Sequence, residues 1–149
     1  MTWLGPEGNV VTGRSMDWPY AFETTFYIIP RETSQDGRGG VNSLTWKSKY
    51  GVVELGGALN PNGPVNGVFD GINEKGLAAN LLYLAETDFG GAPRAKKPRI
   101  SFAAWTEYVL SNFATVSEVV EFFKKDPLFI VPVSFGPNGV AHASVHMAV

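Results

Sequence analysis

The sequence predicts an α+β fold built as one domain, and three observations carry that expectation. Its 149 residues include 17 glycines and 10 prolines, with 13% aromatics, a composition of many turns between short strands rather than of a helical bundle. Apolar residues recur at helical spacing between residues 102 and 123. Strand-type runs lie on both sides of that stretch.

Residues 9–13 are a short β-type run, and residues 24–29 are a stronger one that Pro30 ends, since proline cannot donate to a ladder. Residues 34–42, containing Gln35-Asp36-Gly37-Arg38-Gly39-Gly40, carry turn chemistry without apolar periodicity and predict an exposed loop. Residues 44–46 and 52–55 flank Lys47-Ser48-Lys49-Tyr50-Gly51, which predicts a hairpin turning at Gly51. Residues 56–67 are too rich in Gly, Pro and Asn for a regular element and predict a loop, the kind of segment that often carries function.

Residues 68–72 and 77–84 are apolar runs separated by Asn73-Glu74-Lys75-Gly76, which predicts a buried β-hairpin. A basic, proline-containing connector follows at residues 93–98. Phe102, Trp105, Val109 and Phe113 then mark one face of a first helix, with Ala103 and Ala104 supplying propensity. Thr115 and Glu118 fit a capping box for a second helix, whose apolar face holds Val119, Phe122 and Phe123. Lys124 and Lys125 suit its C-terminal dipole, and Pro127 blocks continuation. Residues 129–135 and 141–149 return to strand chemistry around Gly136-Pro137-Asn138-Gly139, a further hairpin signal. The chain ends inside that last apolar run, without a cap or polar tail, and so reads as cut rather than finished.

Twelve basic and 14 acidic residues give a formal charge of −2, spread along the chain, so no electrostatic footprint for nucleic acid or an anionic membrane is expected. No apolar run approaches the roughly 20 residues of a membrane span. Met1-Thr2-Trp3-Leu4-Gly5-Pro6 lacks the pattern of a signal peptide, and the chain reads as soluble with its compartment open. There is no cysteine, hence no disulfide framework, thiolate metal site or thiol nucleophile. Phosphate loops, dinucleotide fingerprints and a Gly-x-Ser-x-Gly elbow are lacking, and no cofactor is expected.

His142 and His146 stand four apart, a ligand spacing on a helix and a shared face on a strand. The helical zinc motif needs a glutamate after the first histidine, where Ala143 stands, and no third ligand is near, so no metal is expected. Trp3, Trp18, Trp46 and Trp105 lie in separate elements and are expected in the core rather than on a sugar platform.

Arg14 and Asp17 are an opposite-charge pair among Met16, Trp18, Pro19 and Tyr20. In a partly desolvated pocket the guanidinium would lower a neighbouring nucleophile's pKa and the carboxylate would hold an amine. The same two residues also fit a surface ion pair beside a turn, worth little to stability.

Four segments, taken together and in order, resemble the choloylglycine hydrolase family of N-terminal nucleophile (Ntn) hydrolases, which includes bile salt hydrolases and penicillin V acylases. They are Val11-Thr12-Gly13-Arg14-Ser15-Met16-Asp17-Trp18, Trp46-Lys47-Ser48-Lys49-Tyr50-Gly51, Asp70-Gly71-Ile72-Asn73-Glu74-Lys75-Gly76-Leu77-Ala78-Ala79-Asn80, and residues 101–116 with Ala103-Ala104-Trp105 and Asn112-Phe113-Ala114-Thr115-Val116. The resemblance implies a four-layer αββα sandwich, of which 149 residues would build only part. It implies hydrolysis of linear, non-peptide amide C–N bonds by a cysteine at the mature N-terminus, with its own α-amino group as base.

By the same resemblance, Arg14 matches the arginine beside the thiolate and Asp17 the aspartate that orients the amine. Tyr83 matches a position that supplies an oxyanion donor through its backbone N–H, and its aromatic character leans toward the acylases. As a residue alone, Tyr83 fits a core aromatic equally well. Met16, Tyr20 and Phe22 match positions lining an apolar acyl pocket, and residues 56–67 match a substrate loop.

The family's cysteine should precede Trp3 by a few residues, and the family continues well past Val149. The expectation is therefore an incomplete N-terminal part of a single Ntn-hydrolase domain, itself inactive, whose bare sheet surfaces favour oligomerisation or poor solubility. The expected partner is a small-molecule amide, with neither nucleic acid nor membrane. A non-catalytic acyl-ligand-binding protein and a small unrelated β-rich binding module are the alternatives.

Overall fold

The computed structural model describes residues 2–16, 23–58, 66–91, 97–132, 134–135, 141–142 and 144–149. In chain order these form β1 (Thr2–Leu4), β2 (Val10–Thr12), β3 (Thr24–Ile29), β4 (Ser34–Asp36), β5 (Thr45–Lys47), β6 (Val52–Ala58), β7 (Asn66–Asn73), β8 (Ala78–Tyr83) and β9 (Arg99–Ser101). There follow α1 (Phe102–Asn112), α2 (Val116–Phe123), β10 (Phe129–Val131), β11 (Ser134–Phe135), β12 (Ala141–His142) and β13 (Val145–Ala148).

The strongest local signals form as expected. β7 and β8 pair antiparallel across the turn at Asn73-Glu74-Lys75-Gly76, where Gly76 takes a φ of 85° that a side chain would strain. β3 occupies its predicted residues, and both helices appear where apolar periodicity places them. At the start of α1 the Ser101 side chain accepts from the Ala103 N–H at 3.2 Å. At the start of α2 the capping box is complete. Thr115 Oγ1 accepts from the Glu118 N–H at 3.2 Å, and Glu118 Oε2 accepts from the N–H groups of Thr115 (3.2 Å) and Ala114 (2.6 Å). Thr115→Ala is expected to cost about 1 kcal/mol in urea unfolding, and an unchanged midpoint would refute the cap.

Long-range pairing departs from the local signals. β5 pairs with β4 rather than with β6, so the predicted loop at residues 34–42 begins as a strand, and β6 instead joins β3 and β7. In this position Trp46 packs on the helical layer, its ring meeting Tyr108 of α1 edge-on at 5.2 Å. The segment read as a loop from residue 56 continues as strand to Ala58 and resumes at Asn66. Gly56 permits this, because a Cβ there would lie 2.6 Å from the Gly67 carbonyl oxygen. Residues 59–65 of that segment lie outside the described residues.

β10 pairs in parallel with β9, and β11 pairs with β12 as the hairpin signal predicts. β13 pairs along β8, so the final apolar run has a partner on one side. β1 packs antiparallel on β2. Trp3 is 57% exposed there, against the expectation of a core position, whereas Trp46 and Trp105 pack against the core.

The main sheet has the order β13-β8-β7-β6-β3 and is antiparallel throughout. Strand alternation gives it two unlike faces. One face carries Val52, Phe69, Ala79, Leu81 and Val145, which pack on α1 through Phe102, Ala103, Val109 and Leu110. Gly71 is what lets the helix come so close, since a Cβ there would meet Leu110 Cδ1 at 2.5 Å. α2 completes this layer through Val119 and an aromatic cluster in which Phe122 meets Tyr108 and Phe113. The other face presents Phe26, Ile28, Val53 and Ile72, with Phe26 and Ile28 75% and 78% exposed.

Two polar insertions interrupt the helix–sheet interface. Asn73, 4% exposed, donates through Nδ2 to the carbonyls of Leu110 (2.8 Å) and Phe113 (2.7 Å). Its Oδ1 accepts from the N–H groups of Lys75 (3.0 Å) and Leu77 (3.1 Å). Glu54, also 4% exposed, lies near Glu107 of α1, whose carboxylate pairs with Arg38 at 3.0 Å. Burial, with the Glu107 charge adding to it and Arg38 opposing, pushes the Glu54 carboxyl up to about 8, and burial raises Glu107 as well.

Candidate active site

The site is built on the face opposite α1. A cleft of about 630 Å³ lies between the segment from Val10 to Met16 and the sheet, where Phe26, Val53, Leu55, Ile72 and Ala78 supply an apolar lining. That composition follows from alternation: Val53 and Leu55 on β6 face the cleft, while Val52 and Glu54 face the helices.

Among the described residues, charged side chains face the cleft at one place, since Glu54 turns to the helices. Arg14, just past β2, forms a two-pronged pair with Asp70 of β7, Nε to Oδ1 at 2.9 Å and Nη2 to Oδ2 at 2.8 Å. Asn80 of β8 donates through Nδ2 to the same Oδ1 at 2.7 Å. The side chains of Arg14 and Asp70 are only 15% and 21% exposed, so the pair is more shielded than a surface ion pair. Asp70 stands in register with Leu55 on one side and Asn80 on the other, so three adjacent strands place the cluster. The remaining Nη1 of Arg14 reaches the Ser15 carbonyl at 3.4 Å.

Of the residues singled out from the sequence, Arg14 and Met16 line the cleft, with Met16 37% exposed. Tyr83 ends β8 opposite Val145, is 59% exposed and does not line the cleft, so it is not the core aromatic that one reading allowed. Asp17, Tyr20 and Phe22 lie outside the described residues, as does Trp18. His142 and His146 fall on β12 and β13, which belong to different sheets, so the shared strand face expected of them does not form. Among the described residues no group of three or more His, Cys, Asp or Glu could hold a metal ion, and no helix is long and apolar enough to cross a membrane.

Asp70 and Asn80 were not marked as site residues by sequence reasoning, although both lie in a motif it singled out. The available signal was parity. Asp70 alternates with Gly71 and Asn73, so it faces away from the helices, and a carboxylate on an apolar strand calls for a cation. Glu74 of the same motif is structural: its carboxyl is held down to about 2 by hydrogen bonds from Arg31 and the Gly51 N–H, which fasten the hairpin turn to the end of β3.

A guanidinium fixed in an apolar cleft can stabilise a thiolate or a developing oxyanion brought beside it. Comparison with known proteins gives the family. A sequence model described as linear amide C–N hydrolases, choloylglycine hydrolase family, matches residues 1–149. The chain belongs to the choloylglycine hydrolase family.

Within this family, the chain is 46% identical over 122 residues to a penicillin V acylase of Pectobacterium atrosepticum, covering 81% of this chain and 32% of that relative. It is 30% identical over 138 residues to a bile salt hydrolase/transferase of Clostridium perfringens, covering 91% of this chain and 40% of the relative. Among solved structures, penicillin V acylase from Agrobacterium tumefaciens superposes with a TM-score of 0.79 at 38% identity, over 98% of this chain and 41% of that one. A mutant conjugated bile acid hydrolase from Clostridium perfringens gives a TM-score of 0.75 at 25% identity, over 98% of this chain and 42% of the other. The α+β arrangement is thus that of the Ntn-hydrolase fold, and this choloylglycine hydrolase chain spans well under half the length of these relatives.

Proposed function

We propose that this chain is the N-terminal part of a single Ntn-hydrolase domain that cleaves linear amide C–N bonds in the manner of a penicillin V acylase, and that it is inactive alone. The observation that carries the proposal is the Arg14–Asp70 pair, braced by Asn80, at the wall of an apolar cleft. An acyl group would enter that cleft by burial of apolar area, with Arg14 beside the nucleophile. Asp17 would hold the nucleophile's α-amine, the Tyr83 backbone would contribute to the oxyanion site, and Met16, Tyr20 and Phe22 would contact the acyl group. The nucleophile is a cysteine outside these 149 residues, which contain none. The exposed apolar face around Phe26 and Ile28 supports the same reading, since the rest of the domain would cover it.

The test begins with the genomic DNA upstream of Met1, where an in-frame Cys codon is expected shortly before it. The product that carries this cysteine, together with the residues beyond Val149, is expected to release phenoxyacetate from penicillin V, and the 149-residue chain is expected to release none. An upstream frame without a Cys codon would end the proposal. The lack of cysteine favours a second reading, a non-catalytic acyl-ligand binder, which predicts ligand binding by the 149-residue chain without turnover by any product of the gene.

A further inference from the structure

We infer that Asp70, braced by Asn80, is the positioning residue that fixes the Arg14 guanidinium and cancels its charge, so that the cleft takes a neutral acyl group in preference to a free carboxylate. The second half of this inference rests on the acyl-site reading above.

The positioning half follows from geometry. Arg14 lies on a segment outside the five-stranded sheet and carries a long side chain with many rotamers. Asp70 removes that freedom by meeting two nitrogens of the guanidinium fork at 2.8 and 2.9 Å, a planar match that, among side chains, a carboxylate offers. Asp70 is itself held. Asn80 occupies Oδ1 from the neighbouring strand, and the next residue, Gly71, is packed against Leu110 of α1. The position of Arg14 is therefore referred through Asp70 to the helix–sheet core.

The charge half follows from the lining. Among the described residues that line the cleft, the ionisable ones are Arg14, Asp70 and Glu54. Glu54 is 4% exposed and directs its side chain to the helical layer, away from a ligand in the cleft. Arg14 and Asp70 sum to zero, and the faces of the fork best suited to a carboxylate are already occupied. A free acid, the product of amide cleavage, would find no uncommitted cation here among the described residues. The clamp would let it leave.

The experiment uses the 149-residue chain and two readouts. Arg14→Lys identifies the Arg14 Nε–Hε resonance among the arginines. In the unaltered chain that proton is expected to exchange with water about tenfold more slowly than those of exposed arginines, in keeping with a charge-assisted hydrogen bond. Asp70→Asn, close in shape but without the charge and the second acceptor, is expected to lose most of the protection, Asp70→Glu to keep more of it than Asp70→Asn does, and Asn80→Ala to weaken it. Calorimetric titration then compares phenoxyacetamide with phenoxyacetate. The unaltered chain is expected to prefer the neutral amide, and Asp70→Asn to bind the anion about tenfold more tightly than the unaltered chain does.

Unchanged Arg14 exchange in Asp70→Asn would overturn the positioning half, and Asn80→Ala measures the same clamp if Asp70→Asn does not fold. Unchanged anion affinity in a chain that binds the amide would overturn the charge half. Binding of neither ligand by either chain would instead remove the acyl-site reading and the charge half with it, while the exchange data still decide whether Asp70 positions Arg14.

Discussion

Glu54→Gln is expected to flatten much of the fall in stability that the unaltered chain shows between pH 5 and pH 9. Burial between β6 and α1 raises the Glu54 carboxyl from 4.5 to about 8, with the neighbouring Glu107 charge adding to the effect and Arg38 opposing it. The folded state therefore holds a proton that the unfolded state has released over the whole interval between those values. Stability from this group is fully present below the unfolded pKa and is lost as pH rises through the folded one. A shift of this size corresponds to about 5 kcal/mol at most once both states are ionised. One carboxyl oxygen of Glu54 has no hydrogen-bond partner among the described residues, so charge arriving there would be poorly accommodated. Urea unfolding at pH 5 and pH 9 measures the difference. Equal pH slopes for the two proteins would show that Glu54 ionises without cost.

Asn73→Ala is expected to lower stability by about 3 kcal/mol at neutral pH, the sum of several modest hydrogen bonds and the buried groups they leave behind. Asn73 uses both amide protons and accepts twice at its oxygen, so its hydrogen-bonding capacity is filled. It joins the β7–β8 turn to the C-terminal carbonyls of α1, which a helix end otherwise leaves without partners. Asn73→Asp is expected to cost at least as much, because a carboxylate would face two carbonyl oxygens. Chemical denaturation of the three proteins in parallel checks this. A loss below about 1 kcal/mol for the alanine variant would show that water replaces the amide.

What was legible in the sequence was local. The capping box at Thr115 and Glu118, the face of α1, the Gly76 turn and the β-run at residues 24–29 each depend on contacts a few residues apart, and each appears where expected. Pairings that depend on distant residues were not legible. Nothing within residues 34–47 tells β5 to choose β4 over β6, and the packing that accompanies the choice involves Tyr108, on a helix still to come in the chain. The parallel partnership of β9 and β10 likewise requires α1 and α2 to have turned the chain back first.

The candidate site divides in the same way. Arg14 was legible through the motif that contains it, whereas its partner Asp70 lies 56 residues further on. Asn73 had the signature of a turn residue, and its grip on α1 depends on carbonyls 37 and 40 residues away. Glu54, within an otherwise apolar run, gave no hint in sequence that Glu107 would come to lie near it.

Alternation along β7 has a practical consequence for anyone who wishes to alter this protein. Gly71 and Asn73 point to the helices and set whether the chain folds; Asp70 and Ile72, interleaved with them, point to the cleft. Neighbours in sequence thus belong to different problems, and a mutational scan read along the strand should oscillate between lost protein and changed ligand choice. A library that randomises Ile72 and Ala78 while leaving the odd-numbered partners on the helix side untouched would explore recognition on a scaffold that stays constant.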